Sequence, residues 1–474
     1  MASKKELVEA QSFSRRRLLT AFVSGAPGGR ELEPTSPVRG VVAGVVIAVL
    51  VVVGGLVSGL LGRGLPDGWE NGSIMVVRDN AARYVTDDGR LVPVINMASA
   101  RLLVPADAPI HTVGANLVAD VEVLPPAGIV GAPDNLPEPG RLVEDGWTAC
   151  LAQDGGTRTR IAAPVAADGA PAATPDAAVP DAAPPVAGLV IVGGELHLVQ
   201  GMRSYLVAES PQSAGIVREL GFTPESPRPA LQEWLALLTP GTALQPFVPE
   251  GLGTTPAGAL GQVPEVSVGT VVQRQGTGQE YVALADGRLA RLDPFTAAIY
   301  RTGAGGGVEV SVSANDLAGV EEVPADQSPF PADWPTQIAP VVGSDEATCA
   351  QLDVAGFGSQ VVAGDVAPTA GVDVDAGGGA LALFAAEADT TSGPVRFVDE
   401  NGFAYAIESA GANTREEAVA RLFPATGDAA AAPVTVPYAW GDLFVSGPTL
   451  SIDAAERSRT EVPAPAEAAA GEGS

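Results

Sequence analysis

The sequence predicts an α+β, mostly β protein: one apolar N-terminal helix, then about four small repeated strand-and-helix modules arranged in two halves. Three observations predict it. Residues 41–61 contain only Val, Ile, Leu, Ala, Gly and Ser58, with no charge. The 57 glycines and 41 prolines, against 5% aromatics, favour short strands and turns over long helices. The order strand, strand, Asp-Gly turn, strand, short helix recurs along the rest of the chain.

Residues 1–40 form a basic foot. Lys4, Lys5, Arg15, Arg16, Arg17, Arg30 and Arg39 stand against Glu6, Glu9, Glu31 and Glu33, a net charge of +3. Residues Glu6 to Phe22 are expected to be a helix with Leu7, Phe13, Leu18 and Phe22 partly on one face. Pro27, Pro34 and Pro37 then make an extended link. The run 41–61 follows; at about 1.5 Å per residue it is roughly 30 Å long, the thickness of a bilayer core, and is expected to be a transmembrane helix. An uninterrupted run of this length is unlike a buried core helix.

Beyond Arg63 the chain carries 19 basic and 52 acidic residues, a net of −33, and no lysine. Basic residues near a membrane helix stay cytoplasmic, so the N-terminus is expected inside and the body outside; Arg63 alone opposes this. Ser14-Arg15-Arg16-Arg17-Leu18-Leu19 resembles a twin-arginine export signal. A Pro-, Gly- and Glu-bearing stretch separates it from the apolar run, however, and Gly62-Arg63-Gly64 is a poor cleavage site. The helix is therefore expected to be a permanent anchor.

The body, 64–461, is long enough for two or more cores. Gly72 to Val77 leads to Arg83-Tyr84-Val85, a turn at Asp88-Gly89 and Arg90 to Val94. Gly269 to Val272 leads to Glu280-Tyr281-Val282, a turn at Asp286-Gly287 and Arg288 to Leu292. Each is expected to form a tight hairpin followed by a short helix, Asn96 to Leu103 and Pro294 to Tyr300. A looser copy runs from Arg396 through Asn401-Gly402 to Ile407, followed by a helix with a Thr414/Glu417 capping box. Leu196 to Val207 gives a fourth. The approximate repeats lie at 72–104, 190–245, 267–302 and 380–451, and Leu238 to Leu244 is echoed by Phe444 to Leu450. A single module buries too little surface to stand alone, so the modules are expected to pack on one another or on a central unit. Ala162 to Ala187, rich in Ala, Pro and Asp, is expected to be a flexible loop, and 462–474 a disordered tail.

Chemistry is sparse. The acidic body argues against nucleic acid as a partner, because a phosphate backbone needs a basic footprint. The glycine-rich 303–307 has no Lys-Ser/Thr after it. With Lys4 and Lys5 the only lysines, the body has no phosphate-loop lysine, and arginine does not replace that compact charge. No zinc-protease, serine-hydrolase or C-x-x-C motif occurs. His111 and His197 are expected to be structural. No catalytic, cofactor-binding or metal-binding residue is nominated, and no cofactor is expected. Cys150 and Cys349 are expected to pair if the body lies in an oxidising compartment; two buried thiols are the alternative.

Several segments resemble one family. Met1 to Leu18, the anchor followed by Gly68-Trp69, and Arg83 to Val94 are similar to the EccB family, a core membrane component of actinobacterial type VII (ESX) secretion systems. So are Asn96 to Leu103, Gly128 to Leu136, Trp147 to Cys150 and Gly447 to Ser451. The resemblance implies a short cytoplasmic N-terminus, a single-pass helix in the inner membrane, and a periplasmic body of repeats around a central β domain, elongated and quasi-two-fold. It implies that Cys150 and Cys349 match the family's paired cysteines. It also implies EccC, EccD and EccE components and a mycosin protease as partners, and self-association within the complex. The function implied is structural: the foot grips partners and the body organises the periplasmic side of an export machine. The family has carried an ATPase label, which makes a periplasmic ATPase or other hydrolase the alternative; the absence of a nucleotide motif puts it in doubt. The Ala/Pro-rich insertion departs from the family pattern.

Overall fold

The computed structural model describes residues 4–24, 38–61, 64–162, 185–303, 307–409, 413–427 and 430–457. The expected tail 462–474 and most of the expected loop 162–187 lie outside the described residues. Ala162, Val186 and Ala187 are buried, so the packed body takes over both ends of that loop. The chain divides into two compact units, 1–65 and 66–474.

The first unit contains helices α1 (Lys4–Ser24) and α2 (Val38–Leu61). Every described side chain on them is exposed. Among the described residues no helix is long and apolar enough to cross a membrane.

The second unit is a mixed α+β fold of several small sheets. Strands β1 (Ile74–Val77), β2 (Arg83–Asp87) and β3 (Arg90–Val94) form an antiparallel meander. Asp88 and Gly89 take φ of 51° and 72°, the left-handed pair that joins two right-twisted strands through a two-residue turn. Helix α3 (Met97–Leu103) follows, its first turn capped by Asn96, which accepts from the Ser99 N–H. Strand β4 (Ile110–Val113) returns parallel to β1, and after the short helix α4 (Ala115–Val118) the chain bridges to Leu91 and Val94 on β3.

Strands β5 (Trp147–Leu151) and β6 (Thr157–Ile161) then open a different sheet. The second module contains β7 (Ala187–Val192), β8 (Glu195–Gln200), β9 (Arg203–Leu206), α5 (Ser213–Glu219), β10 (Arg228–Pro229), α6 (Gln232–Leu235) and β11 (Thr239–Pro240). The third contains β12 (Val271–Arg274), β13 (Glu280–Ala283), β14 (Leu289–Leu292), α7 (Pro294–Thr302) and β15 (Glu309–Val312). Strands β16 (Ala347–Asp353), β17 (Gly358–Gly364) and β18 (Gly371–Val374) complete the sheet begun by β5 and β6, in the order β17-β16-β5-β6-β18. The fourth module contains β19 (Ala380–Ala385), β20 (Val395–Val398), β21 (Phe403–Ile407), α8 (Arg415–Leu422), β22 (Val434–Pro437), β23 (Val445–Ser446) and α9 (Ile452–Arg457).

All four modules share one plan. Three antiparallel strands are followed by a helix, a strand parallel to the first, and a segment parallel to the third. The turn at Asp286-Gly287 departs from the tight hairpin expected. Residues 284–288 form a longer loop in which the Asp286 carboxylate accepts from the Arg288 N–H at 3.0 Å. The chain is crowded there: a Cβ at Gly287 would press on the carbonyl of Ala257, so this hairpin bends around a neighbouring segment.

Helices join the modules in pairs. Ala98 and Leu102 of α3 share a core with Phe397, Val419, Leu422 and Ile452 of the fourth module. Ile216 and Leu220 of the second share one with Phe295, Ala298 and Ile299 of the third.

Candidate functional site

The sheet of β5, β6 and β16 to β18 is where the two pairs of modules meet. Burial along β5 alternates, with Trp147, Ala149 and Leu151 buried and Thr148 and Cys150 half-exposed, the period-two pattern of a sheet covered on one face. The covered face carries Ala350, Leu352, Val361 and Ile161 as well. Val190, Val199 and Leu237 of the second module, and Ala382, Phe384 and Val436 of the fourth, pack into the same cluster.

Two indoles anchor this junction. Trp234 on α6 donates from Nε1 to the Ala149 carbonyl at 2.8 Å. Trp440, in the 3-10 helix Tyr438–Leu443, donates from Nε1 to Ser359 Oγ at 3.0 Å. Both are fully buried, and each satisfies its one N–H on the sheet, Trp234 on the central strand β5 and Trp440 on the edge strand β17, while the ring fills the core. Trp147 sits beside them, its ring edge-on to Trp440 and Phe444 at 5.9 Å between centroids. The two anchors occupy the same place in the repeated plan, four residues before the echoed Leu238 and Phe444. That echo pointed to the repeat but not to the indole ahead of it.

Cys150 and Cys349 form a disulfide on the opposite face of the sheet. They face each other across β5 and β16, with Cα atoms 3.9 Å apart and 199 residues apart in sequence. The bond therefore joins the half of the sheet that precedes the second module to the half that follows the third. Gly364 on β17 lies over the sulfurs, where a Cβ would stand 2.5 Å from Cys349 Sγ.

The outer junctions are tied by polar contacts as well. Arg421 on α8 donates from Nη1 to the Leu102 carbonyl at 2.8 Å, closing the C-terminus of α3, while Nη2 meets Glu417 at 2.6 Å. Residues 128–135 are held against α3: Ile129 donates to Ser99 Oγ, Asn96 Nδ2 donates to the Ile129 carbonyl, and Asp134 accepts from the Met97 N–H. Asp134 is also ion-paired to Arg83 at 2.7 Å. At the second junction Tyr205 donates to the Asp333 carbonyl at 2.8 Å, and burial pushes its phenol up to about 12.

The remaining sequence candidates are dispersed. His111 is on β4 and His197 on β8, in different sheets. Burial lowers the His197 pKa, opposed by the nearby charge of Glu195. Among the described residues no group of three or more His, Cys, Asp and Glu side chains is placed to hold a metal ion. Part of the glycine-rich 303–307 lies outside the described residues. One recess of about 230 Å³ lies between Gly188, Arg228 and Glu346, and one of about 270 Å³ between Pro394, Ser409 and Arg415; neither is lined by a histidine or cysteine. The geometry builds a junction: the second and fourth modules pack on one face of a disulfide-joined sheet, each anchored by an indole, and the first and third modules join them through shared cores.

Comparison with known proteins agrees with this architecture. The family described as "Type VII secretion system ESX-1, transport TM domain B" matches residues 1–464. Among relatives, the ESX-2 secretion system ATPase EccB2 of Mycobacterium tuberculosis is 29% identical over 239 residues, covering 48% of this chain and 44% of that protein. The ESX-5 secretion system ATPase EccB5 of Mycobacterium marinum is 30% identical over 288 residues, covering 56% of this chain and 54% of that protein. The chain thus spans about half the length of the curated relatives it matches. Among solved structures, a chain of the intact ESX-5 inner membrane complex superposes with a TM-score of 0.57 at 23% identity, covering 96% of this chain and 95% of that one. The EccB3 dimer from the ESX-3 core complex gives 0.56 at 22% identity, covering 81% and 99%. At these identities the likeness is one of fold. Matched from residue 1 to residue 464 by the family's pattern, the chain belongs to the EccB family of type VII secretion systems.

Proposed function

We propose that this chain is a structural component of a type VII secretion membrane complex, organising its extracytoplasmic side. The observation that carries the proposal is the disulfide-joined sheet, on which the second and fourth modules pack while the first and third join them through shared cores. A disulfide that persists calls for an oxidising compartment, which supports a body outside the cytoplasm.

Membrane attachment is assigned to α2. Its 24 residues reach about 36 Å, and Val41, Val45, Ile47, Val49 and Val52 are exposed along it. The basic foot places its N-terminus in the cytoplasm, making the chain single-pass. By resemblance, the partners are EccC-, EccD- and EccE-like components and a mycosin protease, with a second copy of the chain in the same assembly.

Affinity purification from native membranes tests this: the other components are expected at a fixed ratio to this chain, and recovery of the chain alone would reject the assembly role. The relatives' ATPase label makes hydrolysis the rival reading. With no lysine beyond Lys5, the purified body is expected to turn over no ATP above an enzyme-free control. Turnover abolished by one body substitution would favour the rival.

A further inference from the structure

Helix α1 separates its carboxylates from all its described large apolar side chains but Phe13. At about 100° per residue, Leu7, Leu18 and Phe22 fall within about 60° of one another, and Val8 and Leu19 widen that stripe on one side. Lys4 and Arg15 lie within the stripe, and Lys5 and Arg16 border it. Glu6 and Glu9, its only acidic residues, point the other way, with Arg17 nearer to them. Phe13 falls on the acidic side, so the face expected from the sequence is narrower than four residues. Leu7, Val8, Leu18, Leu19 and Phe22 are all exposed.

We propose that α1 lies flat on an anionic lipid surface, its stripe immersed at the headgroup boundary and its carboxylates turned to water. The charge pattern selects this occupant. Cations in and beside the stripe reach phosphate oxygens by extending along their own alkyl stems, and no carboxylate faces the membrane. Such a helix binds weakly by itself, because five apolar side chains give a shallow and reversible attachment. Tethering changes that. Thirteen residues, 25–37, separate α1 from α2, so the two helix ends stand no more than about 45 Å apart. Docking is then an intramolecular event at high effective concentration. This inference rests on the reading of α2 as a membrane span.

The test uses the full chain reconstituted in vesicles, with Cys150 and Cys349 left disulfide-bonded. An environment-sensitive fluorophore is placed on Ser14→Cys in one sample and on Val49→Cys in another, and quenching by brominated lipid chains is read. In vesicles containing phosphatidylglycerol the Ser14→Cys label is expected to be quenched roughly twofold more than in pure phosphatidylcholine. The difference should vanish in high salt or on the double substitution Arg15→Glu and Arg16→Glu. Equal quenching in both lipids would overturn the proposal. So would shielding of the label that appears only when other secretion components are added, which would identify a protein as the occupant. The Val49→Cys label is expected to be quenched in every vesicle; if it is not, the spanning assignment fails, whatever the Ser14→Cys label reports.

Discussion

The indole N–H of Trp234 reaches across from the second module to the carbonyl of Ala149, 2.8 Å away on the central sheet. Its counterpart Trp440 reaches the same sheet from the fourth module but finds a different acceptor, the Ser359 hydroxyl at 3.0 Å. The repeated plan thus delivers one residue type to one surface twice, and the surface supplies whichever acceptor lies there.

Trp234→Phe is expected to cost about 1–2 kcal/mol, because it keeps an aromatic ring in the core but removes the buried hydrogen bond to the Ala149 carbonyl. Trp234→Ala also opens a cavity in the shared core and is expected to cost about 3–5 kcal/mol. Chemical denaturation, with hydrogen exchange on β5 to localise the loss, measures both. Equal costs would show that the packing of the ring adds nothing beyond the hydrogen bond.

Removing both Cys150 and Cys349 by substitution with Ser is expected to destabilise the body by up to about 5 kcal/mol, the chain-entropy value for a loop of this length. Thermal unfolding with and without reductant reads the same effect in the native sequence.

Gly241 and Gly447 occupy corresponding places, and a Cβ at either would press into the ring of a buried tyrosine, Tyr205 or Tyr405. Neither ring is free to move, since Tyr205 is bonded to the Asp333 carbonyl and Tyr405 to the Asp399 carboxylate. Gly241→Ala and Gly447→Ala are each expected to cost about 1–3 kcal/mol. Gly140→Ala, with open space around its Cβ, is expected to be neutral in the same assay.

Burial pushes the Tyr205 and Tyr300 phenols up to about 12, from 10 for the free side chain. Raised in the folded state, these groups contribute stability that is complete below pH 10 and is lost as pH climbs towards 12. Alkaline unfolding is expected in that window, with their ultraviolet ionisation signal appearing together with loss of structure. Ionisation of both at pH 10 in a folded body would contradict this.

Local chemistry made some elements legible in the sequence. Asp88-Gly89 specifies a two-residue turn because both positions need positive φ, and Thr414 caps α8 by accepting from the Glu417 N–H at 3.1 Å. The opening strands β7 and β19 were less legible. Ala187 to Val192 and Ala380 to Ala385 are almost continuously buried, and short apolar runs carry no alternation to mark a strand. The two-residue strands β10, β11 and β23 exist only through parallel pairing with distant neighbours.

By itself the sequence determined what short-range physics controls: the apolar run and its basic flank, the Asp88-Gly89 hairpin, the capped helices, and a body without lysine. Tertiary structure decided which segments share a sheet. β5 and β16 pair across nearly 200 residues of chain, and only that pairing places Cys150 against Cys349 and sets Ala149 under Trp234. The reason is that a strand's pattern fixes which face is buried but not the partner that buries it, and here the partner comes from burial shared by three separate parts of the chain.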